Sequence, residues 1–407
     1  MNFERFSSRM EQINRIGRRE GEGISRLSLT DQDMQARSVL KDIFRSLELE
    51  VREDGAGNIW GRRKGTDESL PAVVAGSHID TVPSGGAYDG TLGVMAAVEC
   101  VAMMRDENFQ NRHPVEIVSF STEESSRFNA ATLGSKTAAG ILKASDLSRF
   151  ADTEGVSFLQ ALHGRGFYPE ELTPLRGETI KAFMELHIEQ GPVLERENTN
   201  IGIVTLIAAP TRLKVDIQGE AAHSGACPMK YRRDALAAAS EFVLAVEQAG
   251  RNHSSGKTVA TVGKMEVFPG AMNVVPGKVQ LFVDIRGIDT SSIQKAHNEI
   301  MEALHEICAR RGVTHQVEIL SQDVPKKLDA HLQDLIENSC RKLGLSCSRM
   351  PSGAGHDAMN MAAIAPGGLI FVPCIDGISH DKREDMHPED MKNGVNVLFE
   401  CVKALSR

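Results

Sequence analysis

Four segments of this 407-residue chain share one arrangement: an apolar run ends in side chains able to hold a metal ion or move a proton. Ala72–Gly76 leads into Ser77-His78-Ile79-Asp80, and a glycine-rich stretch then closes on Tyr88-Asp89-Gly90. Val115–Phe120 leads to Glu123-Glu124, Ala182–Leu186 to His187 and Gln190, and Leu369–Pro373 to Ser379-His380. Open α/β sheets bind ligands in the crevice beyond the carboxyl ends of their strands. Four strands of this kind would gather His78, Asp89, Glu123, Glu124, His187 and His380 at one edge.

That donor set is too large for one four-coordinate zinc ion with an open position. It suits two metal ions that share a carboxylate. Asp89 is the natural bridge, because its loop lies between the other donors. Asp80, two residues beyond His78, is expected to orient the His78 imidazole. Glu123 and Glu124 are adjacent, so an extended strand would point them in opposite directions, leaving one to ligate and one free as a general base. Taken singly, each residue has a plainer reading. Asp89 could cap a helix, His187 could be a hydrogen-bonded core histidine, and the charged run from His380 to Asp385 could be solvated surface. Those readings do not explain why every such strand ends in a donor.

The elements that must position these residues are legible in the periodicity. Phe3, Phe6, Met10, Ile13 and Ile16 predict a first helix, and Val39, Leu40, Ile43, Phe44 and Leu47 a second. Asp54-Gly55 marks a turn between short strands. From residue 72 onward strands and helices alternate, which predicts a largely parallel sheet covered on both faces. Residues 210–326 differ. Alternating strands around Leu213–Ile217 and Val279–Ile285, further strands at Thr258–Val267 and Val313–Leu320, and helices at Asp234–Gln248 and Ser292–Arg310 give the order βαββαβ of a ferredoxin-like unit. The expected architecture is therefore an α/β catalytic domain, residues 1–209 and 327–407, with an α+β lid domain inserted at 210–326.

Composition bounds the partners. Lys and Arg number 46 against 55 Asp and Glu, a formal net charge of −9, which argues against nucleic acid as a ligand. The longest uncharged stretch, Ala358–Ile375, is broken by Pro366, Gly367, Gly368 and Pro373, so no membrane span is expected. The charged N-terminus has no secretory pattern, and seven scattered cysteines without a CxxC suggest reduced thiols in a cytoplasm.

The motifs GSHIDTVPSGGAYDG, STEESSRF, ELHIEQGPVLE, HSGACPMKYRRDA, NVVPGK, DIRG, SGAGHDA and GISH occur in this order. Together they resemble the amidase/hydantoinase/carbamoylase family of two-metal exopeptidase-like amidohydrolases. Its nearest branches hydrolyse N-carbamoyl-L-amino acids and allantoate, with N-acyl-amino-acid or peptide bonds, cut elsewhere in the same superfamily, as a further alternative. The resemblance implies that His78, Asp89 and His187 hold one divalent ion and that Asp89, Glu124 and His380 hold the other. Zinc is expected first, with manganese, cobalt or nickel as substitutes. It makes Glu123 the base, and it places His223, Asn273, Arg286 and Gln190 against the substrate, with Gly355 and His356 on the pocket wall. Arg212 aligns loosely with a position that contacts ureido acids. A homodimer through the lid is also implied, and the edge strands of a βαββαβ sheet give it a physical motive. Arg286 would share a strand face with Gln280, Phe282 and Asp284, opposite the apolar set, and its guanidinium suits the free carboxylate of an N-carbamoyl amino acid.

Overall fold

The computed structural model describes residues 1–253, 255 and 258–407. The chain divides into two compact units, Met1–Leu206 with Lys327–Arg407, and Ile207–Lys326. Among the described residues no helix is long and apolar enough to cross a membrane.

The first unit is built on a large mixed sheet. Its centre is four parallel strands in the order Gly367–Val372, Ile180–Ile188, Ala72–His78, Val115–Phe120. All but one of their residues are buried, as expected for strands covered on both faces, and this is why they read as unbroken apolar runs. The flanks depart from the expected parallel sheet. Ile59–Arg63 pairs antiparallel with Val115–Phe120, Glu50–Glu53 pairs antiparallel with Ile59–Arg63, and Ile201–Ile207 runs antiparallel to Gly367–Val372. Only Glu50–Glu53 and Ile59–Arg63 are joined directly by a tight turn, which cannot carry the crossover a parallel pairing needs.

One face of the parallel core is packed by the helices Thr91–Asp106 and Pro388–Leu405. Thr91–Asp106 is buried on nearly every side, including Leu92, Val94, Met95, Val98, Val101 and Met104, so it is apolar all round rather than amphipathic. The opposite face receives the short helix Asp357–Met361. Near the N-terminus, Phe3–Asn14 and Asp31–Ser46 form the two expected helices. Thr30 caps the second by accepting from the Asp33 N–H, the kind of cap worth ~1 kcal/mol.

The second unit is a four-stranded antiparallel sheet ordered Thr258–Phe268, Lys278–Gly287, Ala209–Gln218, Thr314–Gln322. Helices Ala235–Asn252 and Thr290–Arg311 complete the βαββαβ order. Burial alternates along the central strands, and Leu213, Val215, Ile217, Leu281, Val283 and Ile285 pack with Phe242, Val246, Ile300 and Leu304 of the helices. Asp234 and Asp289 cap the two helices, and Gly312, left-handed, ends the second.

Candidate metal centre

Because the four central strands are parallel, their carboxyl ends share one edge, and the donors collect there. His78 is the last residue of its strand and His187 the next to last. Asp89 arrives on the loop before Thr91–Asp106. Gly90 caps that helix without a side chain, so the Asp89 carboxylate is not used as a cap and turns to the histidines. Only glycine fits at position 90. Its φ is +63°, and a Cβ there would lie 2.3 Å from His78 Nε2.

The expected donors fall into two groups. Asp89 Oδ1 is 3.4 Å from His78 Nε2 and 3.3 Å from His187 Nε2. Asp89 Oδ2 is 3.4 Å from His380 Nε2, which is 3.1 Å from Glu124 Oε1. Ligands ~2.0–2.2 Å from a tetrahedral zinc ion stand roughly 3.3–3.6 Å apart, so the spacings suit a cation in each group. Asp89 belongs to both groups.

The ring tautomers agree. His78 Nδ1 is 3.0 Å from the Asp80 carbonyl oxygen and His187 Nδ1 is 2.9 Å from that of Ile188. A carbonyl oxygen only accepts, so Nδ1 carries a proton and Nε2 is the atom turned to Asp89; His187 Nε2 also lies 3.2 Å from the Gly90 N–H. His78 Nε2 is buried and has no hydrogen-bond partner, the mark of a donor atom kept for a ligand. The charges of the cluster bear strongly on one another. Burial alone would raise the Asp89 carboxyl, but His187, His380 and His78 hold it well below the usual carboxylate range. The Asp89 and Glu124 carboxylates push His380 up to about 11.

Glu123 belongs to neither group. Its Oε2 is 3.7 Å from His78 Nε2, and burial pushes its carboxyl well above the usual range. Glu123 and Glu124 do diverge, but not through the pleat of a strand. The strand stops at Phe120, and Thr122 takes a φ of +55°, rare for a β-branched residue. The turn separates the two carboxylates. Asp80 also departs from expectation. The nearest Asp80 carboxylate oxygen is 3.6 Å from His78 Nδ1, outside hydrogen-bond range, and the carboxylate instead accepts the main-chain N–H groups of Glu123 (3.2 Å) and Glu124 (3.1 Å). It braces the turn rather than the imidazole.

Gln190 donates from Nε2 to Asp89 Oδ2 at 2.6 Å, leaving its Oε1 without a partner. His356 is buried against His187, with ring centroids 4.6 Å apart, and burial keeps it neutral. Glu185, His187 and His356 are close enough to suggest a further cation site. Yet the Glu185 oxygens accept from Ser77 Oγ (2.7 Å) and the Ala358 N–H (2.9 Å), and His356 Nε2 meets Ser352 Oγ at 2.9 Å. This trio supports His187 from below.

Four expected substrate contacts lie in the second unit. Arg212 and Arg286 stand on the half-exposed sheet face, both turned to Asp284. Arg286 Nε donates to Asp284 Oδ2 at 3.0 Å, an ion pair within its own strand. His223 pairs with Val274, next to Asn273, and Asn273 accepts the Ser224 N–H. His223 Nδ1 accepts the N–H groups of Gly225 and Ala226.

Sequence reasoning missed Arg26 and Glu384. Arg26 is fully buried, and it donates to the carbonyls of Ile13, Ile16 and Ile79 and to Thr91 Oγ1, tying together both ends of the ligand loop. Glu384 accepts the Tyr88 and Asp89 N–H groups, and burial with the nearby Asp89 charge pushes it up to about 7. Neither has a spacing signal, because most of their bonds go to main chain.

Known proteins are similar over the whole length. The chain is 41% identical to a ureidoglycolate hydrolase of Oryza sativa, covering 94% of this chain and 80% of that one. It is 38% identical to an N-carbamoyl-L-amino-acid amidohydrolase of a Pseudomonas strain, covering 98% and 97%. A hydantoinase/carbamoylase family amidase from Burkholderia vietnamiensis superposes with a TM-score of 0.93 at 34% identity, over 100% of this chain and 97% of that one. The profile of the peptidase family M20/M25/M40 spans residues 74–404, from the strand that ends in His78 to the final helix, and the chain belongs to that family.

Proposed function

We propose that the protein hydrolyses the ureido C–N bond of small carboxylic acids, N-carbamoyl-L-amino acids first, giving the L-amino acid, carbon dioxide and ammonia. It is a hydrolase of carbon–nitrogen bonds other than peptide bonds. The observation that carries this reading is a shared Asp89 between two donor groups, with the buried Glu123 beside them and outside both.

Members of this family use two divalent metal ions. His78, Asp89 and His187 would hold one and Asp89, Glu124 and His380 the other, with zinc, manganese, cobalt and nickel all suited to such mixed donors. Bound there, the ions would polarise a carbonyl and lower the pKa of water from ~15.7 toward ~7. Glu123 accepts the proton of the attacking water and delivers it to the leaving nitrogen.

The remaining contacts come from the chain's own polar atoms. His223 accepts at Nδ1, so its proton sits on Nε2 and serves as a donor to the developing oxyanion, with the Asn273 amide adjacent. The unpartnered Gln190 Oε1 accepts a ureido N–H. Arg286, with Arg212 beside it, exchanges Asp284 for the substrate carboxylate, which its planar fork can grip at two oxygens. Gly355 and His356 close the wall. Residues Ile207–Lys326 act as a lid that carries His223, Asn273, Arg286 and Arg212 to the metals and excludes water. The lid is also the homodimer surface, because one of its two edge strands, Thr258–Phe268, leaves Val259, Met265 and Phe268 exposed. A cytoplasmic location fits the unpaired cysteines.

Ureidoglycolate and allantoate, ureido acids of related chemistry, are the second reading, the first supported by the rice relative and the second by an allantoate amidohydrolase of Bacillus subtilis. Ammonia release from a panel of N-carbamoyl-L-amino acids, ureidoglycolate and allantoate, with and without chelator, tests the assignment. Turnover that survives metal removal would overturn it.

A further inference from the structure

The run Asp381-Lys382-Arg383-Glu384-Asp385 reads as solvated surface, and Lys382, Arg383 and Asp385 are exposed. Glu384 is not: it is 5% exposed. Its Oε1 accepts two main-chain N–H groups, from Tyr88 at 2.9 Å and from Asp89 at 3.0 Å. Its Oε2 lies 3.2 Å from Ser379 Oγ, and Ser379 Oγ donates to Asp89 Oδ2 at 2.8 Å. One carboxylate therefore grips the Asp89 loop at its main chain, and the single Ser379 hydroxyl proton is shared between its other oxygen and the Asp89 side chain, the shorter contact being to Asp89.

The other end of the grip is the His380 loop. Glu384 closes a turn back on Asp381, its N–H donating to the Asp381 carbonyl at 3.0 Å. This loop has little regular structure of its own, and Asp376, Gly377 and His380 take φ of 56°, 66° and 57°. The contact is also close-packed. A Cβ at Gly86 would come within 2.3 Å of the Glu384 carboxyl, so the carboxylate lies directly on the glycine-rich strip leading to Asp89.

We infer that Glu384 is a positioning residue that sets the separation of Asp89 from His380, and with it the geometry of the Asp89–Glu124–His380 group. The inference rests on the two-metal reading. It makes a distinction that a general loop anchor would not: loss of Glu384 loosens Asp89 in both groups but His380 in only one, so the group containing His380 weakens more than the one formed by His78, Asp89 and His187. The latter has Asp89 Oδ1 and two strand-borne histidines, none of them in the C-terminal loop.

The test is calorimetric titration of the metal-stripped full-length chain with Zn2+ and Mn2+, for wild type, Glu384→Ala, Glu384→Gln and Ser379→Ala. Wild type is expected to bind two ions. Glu384→Ala should bind the first within about threefold of wild type and the second ~10–100-fold more weakly, the usual loss when a partner supporting a ligand is removed. Glu384→Gln should stay within about threefold of wild type, because its amide oxygen still accepts both N–H groups. Ser379→Ala, which leaves those two bonds intact, should weaken only the second ion, and it decides the matter if Glu384→Ala fails to fold. Two ions bound at wild-type affinity by Glu384→Ala, or equal weakening of both ions, would overturn the inference. A wild-type chain that binds no ion would instead sink the two-metal reading itself, and the inference with it.

Discussion

The His78 imidazole leans on the main chain of Asp80, not on its carboxylate: Nδ1 is 3.0 Å from the carbonyl oxygen and 3.6 Å from the nearer carboxylate oxygen. The two functions of Asp80 are thereby separated. Its carbonyl sets the ring, and its side chain holds the Glu123–Glu124 turn by two N–H groups. Asp80→Asn, which keeps the carbonyl but replaces one accepting oxygen by a donor, should leave the first metal in place. Turnover should fall ~10–100-fold as the base is mispositioned. Metal analysis beside kcat checks this, and loss of metal in step with kcat would return the carboxylate to the imidazole.

Glu123→Gln should keep both metals and lose ~10²–10⁴-fold in kcat, since the amide fills the same space but takes no proton. Near-normal turnover with intact metal content would remove Glu123 from the role of base.

His187→Ala removes one of three donors from its group. Dialysed protein should retain about half the wild-type metal. An unchanged stoichiometry would leave His187 a core histidine hydrogen-bonded to Ile188.

Asp33 offers a pH prediction away from the metals. It is fully buried, accepts the Leu29 N–H at 2.8 Å, and burial pushes its carboxyl from 3.8 to about 6. A raised carboxyl pKa means the folded state holds the proton more tightly, so stability present at low pH is lost as pH rises from 3.8 through 6. That loss amounts to ~3 kcal/mol at 1.36 kcal/mol per unit. Asp33→Asn, whose amide oxygen still accepts from Leu29, should raise the melting temperature relative to wild type at pH 8 and show little gain near pH 4. A difference that does not change with pH would refute the assignment.

The proposed dimer surface on the second unit is tested by charge. Met265→Lys and Val259→Lys place cations on the exposed edge strand Thr258–Phe268 and should turn a dimer into a monomer by light scattering, with the fold of the chain unchanged. A wild-type monomer, or a variant that still dimerises, would dismiss this surface.

Much of the architecture was readable because of what burial does to sequence. Strands covered on both faces, such as Ala72–His78 and Gly367–Val372, become apolar runs, and the half-buried Lys278–Gly287 becomes a strict alternation. The donors stood out because each closes such a run. Strand direction was harder to read. Whether Ile59–Arg63 or Ile201–Ile207 runs with or against its neighbour depends on the path of the chain between elements, and composition does not record it. Ile201–Ile207 was missed entirely, since it passes into Ala209–Gln218 with no turn residue to separate them. Glu384 escaped because a carboxylate that bonds to main-chain N–H groups needs no partner side chain, and its neighbours are surface charges.

The sheet order has a consequence for how the chain matures. The strand Gly367–Val372 lies against Ile180–Ile188, yet the whole second unit separates them along the chain. A polypeptide emerging from the ribosome presents His78, Asp89, Glu124 and His187 long before His380 has been synthesised. The His78–Asp89–His187 group can assemble early, whereas the group that needs His380 waits for the last parallel strand to insert and for the loop beyond it to dock on Tyr88 and Asp89. Closing that second group is a late event in biogenesis, dependent on contacts of very long sequence separation, the slowest kind to form. A prematurely ended chain would be left holding half of the centre.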